Sequence, residues 1–251
     1  MSIYGSFAGV YDVFMEEVDY GAWLHHLHQI WEKYDKKPQT ILDLGCGTGN
    51  ITIPLAQEGF QMIGLDISED MLTEAQYKAH SQQVDALFIC QDMTELELPE
   101  KMDCIISLCD SLNYLIEDGE LEEAFHRVGE SLKDDGLFLF DLNTAYKFEI
   151  SLGNQTYAAT TEDAAYFWEN SYDPEEKINE YYVSLFLRKE SSDAYERVEE
   201  IHLERAYSLE EVTQYLENAG LTLLSVHDGY SFEKPRAESD RLFFIAKVKG
   251  E

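Results

Sequence analysis

The chain has 251 residues, 45% of them hydrophobic, enough for a sizeable core in one large domain or in one domain with an insertion. Fifty Asp and Glu face eighteen Lys and Arg, for a formal net charge of −32. Proteins that grip phosphate backbones need clustered cations, so nucleic acid and anionic membrane rank low as partners, and the acidic excess reads mainly as a solubilising surface.

The opening MSIYGSFAGVYDVFMEE has neither a basic start nor an unbroken apolar run, so it does not read as a signal peptide. No window is long enough to cross a bilayer. Residues 20–34 place Trp23, Leu24, Leu27, Ile30 and Trp31 at helical spacing. HHLH at 25–28 puts His25 and His28 on one helix face with no further metal ligand nearby, and a solvated face is expected there. Residues 40–44 read as a buried strand, 49–58 as a helix, 61–66 as a second strand. Ser68 caps the next helix, with Glu69 and Asp70 in its first turn. Strands follow at 86–92 and 103–108, an amphipathic helix at 119–132, and a fifth strand in LFLFDL. Cys46, Cys90, Cys104 and Cys109 lack metal-ligand spacing and sit beside apolar residues, which predicts reduced, mostly buried thiols in a cytosol.

Strands apolar on both faces, alternating with helices, predict a parallel sheet covered on both sides. From about 156 to 207 the pattern turns to period two, and Tyr181, Val183, Leu185 and Leu187 share one face. An inserted antiparallel sheet of three or four strands is expected. Ser208 and Glu211 form a capping box for a helix ending at Gly220. LTLLSV and LFFIAKV are the last strands, paired antiparallel, and should give the parallel sheet an antiparallel edge.

ILDLGCGTGN at 41–50 carries Gly45, Gly47 and Gly49 between a strand and a helix, where bare backbone lets a ligand approach a helix N-terminus. Asp66 ends the second strand about 20 residues on, the spacing at which a carboxylate accepts ribose hydroxyls. Asp92 ends the third strand beside Met93, and Asp43 lies inside the end of the first. All stand at C-terminal strand ends, where open α/β sheets bind ligands. The third glycine comes one place too early for the dinucleotide fingerprint, which counts against an NAD-dependent oxidoreductase.

ILDLGCGTGN, LDIS, QDM, DCIISLCDSLNYL and LKDDGLFLFDLN resemble, in order, the motifs of class I S-adenosylmethionine-dependent methyltransferases. The opening YGSFAGVYD and the insertion resemble the small-molecule branch, which includes glycine/sarcosine-type N-methyltransferases and uncharacterised bacterial relatives. The resemblance implies a doubly wound, seven-stranded, mostly parallel Rossmann-like α/β fold with the last strand antiparallel. It implies a lid at 1–36, a cofactor domain at 37–150 and 208–251, and a β cap at 151–207 over the acceptor. It places Gly45, Gly47 and Gly49 along the methionine part of S-adenosyl-L-methionine, with Cys46 in the same loop. Asp43 would orient the ammonium and Leu108 would offer it a carbonyl. Asp66 would hold the ribose, with Ile67 and Met71 beside the adenosine. Asp92 would take the adenine amino group, and Met93 would pack its ring. Tyr11 would reach the methionine end from the lid.

Methyl transfer from a sulfonium is an in-line displacement that asks mainly for alignment and exclusion of water, and it demands no metal. Acceptor-site candidates are Tyr4, Phe7 and Tyr11 in the lid, Asp110, Asn113 and Tyr114 after the fourth strand, Tyr146, and His202 and Arg205 in the insertion. On a regular strand His202 faces with Glu200 and Glu204, and Arg205 with Ile201 and Leu203. Arg205, on the apolar side, is the better candidate to meet a substrate carboxylate or a buried acid. Asp110 would bind a cationic amine or cap the next turn. Trp168 is expected in the core of the insertion. The expected activity is metal-independent methylation of a nitrogen or oxygen nucleophile on a small molecule in the cytoplasm. Methylation of protein or RNA and a non-catalytic cofactor-binding regulator stay as alternatives, and a homodimer is compatible with the sequence.

Overall fold

The computed structural model describes residues 8, 11, 12, 15, 18–160, 164–189 and 194–250. After α1 (Tyr20–Lys33) come β1 (Thr40–Leu44), α2 (Thr52–Gln57), β2 (Gln61–Asp66), α3 (Glu69–Ser81), β3 (Leu87–Cys90), β4 (Met102–Ser107), α4 (Glu120–Ser131) and β5 (Leu132–Asn143). Four further strands follow, β6 (Thr156–Thr160), β7 (Ala164–Asp173), β8 (Ile178–Arg188) and β9 (Tyr195–Arg205). The described chain closes with α5 (Leu209–Asn218), β10 (Leu221–Asp228) and β11 (Arg241–Val248). The expected side-chain caps are present. Ser68 accepts from the Met71 N–H at 3.2 Å, and Ser208 and Glu211 bond reciprocally as a capping box. Helix α2 starts later than its sequence pattern suggests, because the glycine bend occupies residues 45–51.

Seven strands form one sheet in the order β10-β11-β5-β4-β1-β2-β3. Strands β1 to β5 pair in parallel, whereas β11 runs antiparallel to both β5 and β10. The last strand is therefore antiparallel and the edge pair β10–β11 is the antiparallel one, as expected, with β11 one place in and β10 outermost. Burial explains this order: Phe243, Phe244, Ile245 and Ala246 of β11 are almost fully buried, as an interior strand requires, while the middle of β10 is only half-buried.

Alternation along the strands splits the core in two. Phe138, Phe140 and Leu142 of β5 pack on one face with Phe125 of α4, Val212 of α5 and Phe244. Phe140 and Phe244 stack with ring centroids 4.7 Å apart. Leu137 and Leu139 point to the other face, toward Leu27, Ile30 and Trp31 of α1. Strands β6 to β9 form a separate antiparallel four-stranded sheet in sequential order, with a small cluster of Phe148, Tyr172, Tyr181 and Ala206 at its base. Trp168 packs on that cluster. Three thiols follow the expectation of burial or partial burial, but Cys90 is exposed on the edge strand β3. His28 meets Glu58 at 2.6 Å, and the described residues contain no grouping of ligands suited to a metal.

The chain leaves β1 toward β2 on one side and reaches β4 on the other. That reversal of winding opens a crevice at the C-terminal ends of β1 and β4, and the glycine bend lies in it.

Candidate functional site

The bend after β1 explains the glycines. Gly45 and Gly47 have φ of +78° and +52°, a region costly for residues with a Cβ. A Cβ on Gly45 would sit 2.6 Å from that of Ser111, whereas one on Gly47 would meet nothing within 4 Å. The backbone at Gly47 thus borders open space. The bend is pinned from β2, because the Gly45 and Cys46 N–H groups donate to the Leu65 carbonyl. Asp66 accepts from the Gly47 N–H at 2.8 Å and the Ser68 N–H at 2.9 Å. Burial pushes its carboxyl up, against the pull of those bonds.

Asp43, inside the end of β1, is buried and accepts from the Thr52 hydroxyl at 2.6 Å. Burial pushes its carboxyl up to about 7 despite the Thr52 bond, and the charge on Asp66 adds to the rise. At the tip of β3, Asp92 Oδ1 accepts from the Thr94 N–H and hydroxyl, both at 2.8 Å, which leaves Oδ2 available. Ile67, just past β2, is 55% exposed although large and apolar. After β4, Cys109 and Asp110 both take left-handed φ, at 62° and 56°. Consecutive strained residues of this kind cluster at functional sites, and here the turn aims Asp110 at the Arg241 guanidinium.

These groups line a single cavity of about 650 Å³. One half runs along the strand tips, past Asp43, Gly45, Cys46, Gly47, Asp66, Ile67, Met71, Asp92, Met93 and Leu108. The other half runs under the four-stranded sheet, with Tyr166, Trp168, Tyr181, His202 and Glu204 on its wall and Asp110, Tyr114 and Arg241 opposite. Tyr11 lines the cavity and hydrogen-bonds Tyr20. Its neighbour Asp12 accepts from Thr48 at 2.7 Å, Asn50 at 2.9 Å and Lys78 at 2.6 Å, which ties the N-terminal segment to the glycine bend. Burial works to raise the Asp12 carboxyl, but these bonds hold it below its ordinary value.

Several sequence expectations change here. Gly49 does not reach the cavity; its φ of +79° and contact with Ile53 give it a local packing role. Asn113 is buried off the cavity, with its amide bonded to the Arg205 and Asn143 carbonyls and the Asn143 N–H. Arg205 also lies off it, donating to Asp118 and to the Ile116 carbonyl. The faces of β9 are the reverse of the hydrophobic-in expectation. Glu200, His202 and Glu204 point inward and are buried, and Ile201 is 55% exposed, because the inner face lines a polar cavity rather than a core. Asp110 pairs with Arg241 instead of capping the next turn, since it makes no side-chain cap bond. Trp168 is both core and wall, and its Nε1 is buried without a partner. Tyr146 does not line the cavity, and Tyr4 and Phe7 lie outside the described residues.

Glu204, Lys147, Arg241, Tyr166 and Tyr181 were not among the sequence candidates. The only signal for Glu204 was its period-two relation to His202.

Comparison with known proteins agrees with this architecture. A methyltransferase-domain model matches residues 41–136. A protein of Geobacillus sp. (strain WCH70), named "Putative methyltransferase GWCH70_2453", is 39% identical over 97% of this chain and 99% of its own. The crystal structure of an S-adenosylmethionine-dependent methyltransferase from Clostridium acetobutylicum ATCC 824 superposes with a TM-score of 0.88 at 33% identity, over 98% of this chain and 99% of that one. This chain belongs to the class I S-adenosylmethionine-dependent methyltransferases. The methyltransferase also aligns, over 53% of its length and 56% of the other, at 29% identity with dTDP-3-amino-3,4,6-trideoxy-alpha-D-glucopyranose N,N-dimethyltransferase of Streptomyces venezuelae. Its cofactor is S-adenosyl-L-methionine. The cavity fits that molecule at three points: the open backbone at Gly47, the unused Oδ2 of Asp92 and the uncovered side chain of Ile67.

Proposed function

We propose that the methyltransferase transfers a methyl group to a small-molecule nucleophile held under the inserted sheet. The observation that carries this reading is the continuity of the cavity from the strand-tip carboxylates to the inner face of β6–β9. A pocket of that size, closed on one side by a dedicated sheet, suits a metabolite better than a folded polymer. The partial relative from Streptomyces venezuelae, named for an amino-sugar N,N-dimethylation, supports a small nitrogen-bearing acceptor.

In this reading Asp66 holds the ribose hydroxyls and Asp92 takes the adenine amino group, with Ile67, Met71 and Met93 packed around the adenosine. Asp43, through water, and the Leu108 carbonyl orient the methionine ammonium over Gly45, Cys46 and Gly47. Tyr11 closes the methionine end. S-adenosyl-L-methionine supplies a methyl group already activated on sulfur. The protein's work is then alignment, water exclusion and care of the acceptor's proton. Tyr114 and His202, whose Oη and Nδ1 lie 3.4 Å apart, bridge the β4 loop and the inserted sheet over the acceptor. Residues 151–207 act as the cap, 37–150 with 208–251 as the cofactor domain, and 1–36 as the lid, working in the cytoplasm. Release of S-adenosylhomocysteine from a fractionated metabolite pool tests the reading. Turnover is expected in a low-molecular-weight fraction, and turnover confined to protein or RNA fractions would overturn it.

A further inference from the structure

The acceptor half of the cavity contains a buried carboxyl that no cofactor role uses. Glu204, near the end of β9, is 2% exposed and lines the cavity. Its Oε2 accepts from the Asn143 amide at 3.0 Å, and its carboxyl lies close to that of Asp110. The groups facing the pair are mixed in charge. Arg241 from β11 pairs with both Asp110 and Asp141, and Lys147 stands near after β5, with its ammonium bonded to Asn143 at 2.8 Å. Tyr181 on β8 donates to Glu204, and His202 lies one inward position away on β9. Glu200, the next inward position, has Oε2 buried 3.2 Å from His202 Nε2 yet without a hydrogen bond. Asp110 and Glu204 line the cavity with Arg241 and Lys147, and two further acids, Asp141 and Glu200, are buried behind that lining, so acids outnumber these two cations at this end. Tyr166, Trp168 and Tyr181 add aromatic faces on the sheet side and Tyr114 on the side opposite. An acidic, aromatic chamber favours a cationic amine over a neutral alcohol or an anion.

Resting on the methyltransferase reading above, we propose that the acceptor is an alkyl amine bound as its ammonium, and that Glu204 is the base that takes its proton. An ammonium has no lone pair and cannot attack. With Glu204 in its carboxylate form, its own proton lost to solvent, the ammonium gives it one proton, and the freed nitrogen pair forms the N–C bond as the methyl C–S bond breaks. The C–S electron pair stays on sulfur, which becomes a neutral thioether, and the product is a methylated ammonium beside Asp110. Burial, with Asp110 alongside, raises the Glu204 carboxyl well above its ordinary value, while Asn143 and Lys147 oppose the rise. That suits a base which must hold a proton taken near neutral pH. Arg241 and Lys147 keep Asp110 low against its own burial, so the two acids are split into a charged anchor and a proton carrier.

The test uses the full chain saturated with S-adenosylhomocysteine and labelled with ¹³C at glutamate Cδ. The signal absent from Glu204→Gln should titrate well above an ordinary glutamate, and titration at the ordinary value overturns the proposal. In parallel, a panel of primary and secondary amines and the matching alcohols is assayed for S-adenosylhomocysteine release from S-adenosylmethionine. Turnover is expected only with amines, with an acid limb in kcat/KM that is lost in Glu204→Gln together with a fall in kcat of about a hundredfold or more. Glu204→Asp should keep the limb and part of the rate. Turnover of alcohols alone, an acid limb surviving in Glu204→Gln, or no amine turnover by protein that binds S-adenosylhomocysteine each overturns it. Those results leave the methyltransferase reading standing; failure to bind S-adenosylhomocysteine would instead remove that reading. Equal S-adenosylhomocysteine affinity in the variants shows that they are folded.

Discussion

At the residue scale, Asp43 and Asp66 carry opposing demands. Asp43 is fully buried against the Thr52 hydroxyl, and burial lifts its carboxyl from 3.8 to about 7. The folded chain therefore binds a proton there more readily than the unfolded chain does. Its contribution to stability declines as pH rises from about 4 to about 7. Asp43→Asn should stabilise the ligand-free protein above pH 7, on the order of a few kcal/mol. It should also weaken S-adenosylhomocysteine binding, a trade of function against stability. Thermal melts at pH 5 and pH 8 check the first effect, which should be less than half as large at the lower pH. Asp66 fastens the bend through Gly47 and Ser68 and is assigned the ribose, so Asp66→Ala should lower S-adenosylhomocysteine affinity at least about tenfold, as loss of a charged acceptor implies. Calorimetric affinity unchanged from the parent would refute that role.

At the element scale, what the sequence pattern revealed depended on how local each cause was. Strands β1 to β5 were legible because burial on both faces leaves unbroken apolar runs, and α3 and α5 because their caps lie within three residues. The faces of β9 were not legible. The rule that apolar residues point inward holds against a core, but β9 faces a polar cavity, so the sequence favoured Arg205 where the structure puts His202 and Glu204. The partners of Asp110 were hidden for another reason: Arg241 is 131 residues away, and only the placing of β11 beside β5 brings the two together. A small latch, in which Lys78 donates to Asp12, Thr48 and Asn50, helps to hold the N-terminal segment. Asp12→Ala should free the lid and reduce S-adenosylhomocysteine affinity several-fold. The melting point of the ligand-free protein should shift little, because a half-exposed pair contributes at most about 1 kcal/mol.

At the scale of the whole molecule, a net charge of −32 should make the fold sensitive to salt. Screening of like charges predicts that the melting temperature rises between low ionic strength and about 0.15 M NaCl, where the Debye length is roughly 8 Å. A fall over that range would mean that ion pairs such as Lys133–Asp103 outweigh the general repulsion. The winding of the sheet puts the cofactor candidates on its strand tips, Gly49 excepted, along one side of the cavity, and the inserted sheet roofs the same opening. A crystal structure of the S-adenosylhomocysteine complex tests this division of the cavity most directly. Adenosine should lie between Asp66 and Asp92, with the sulfur turned toward Tyr114, His202 and Glu204. A sulfur facing away from the inserted sheet, with no passage to Glu204, would contradict it.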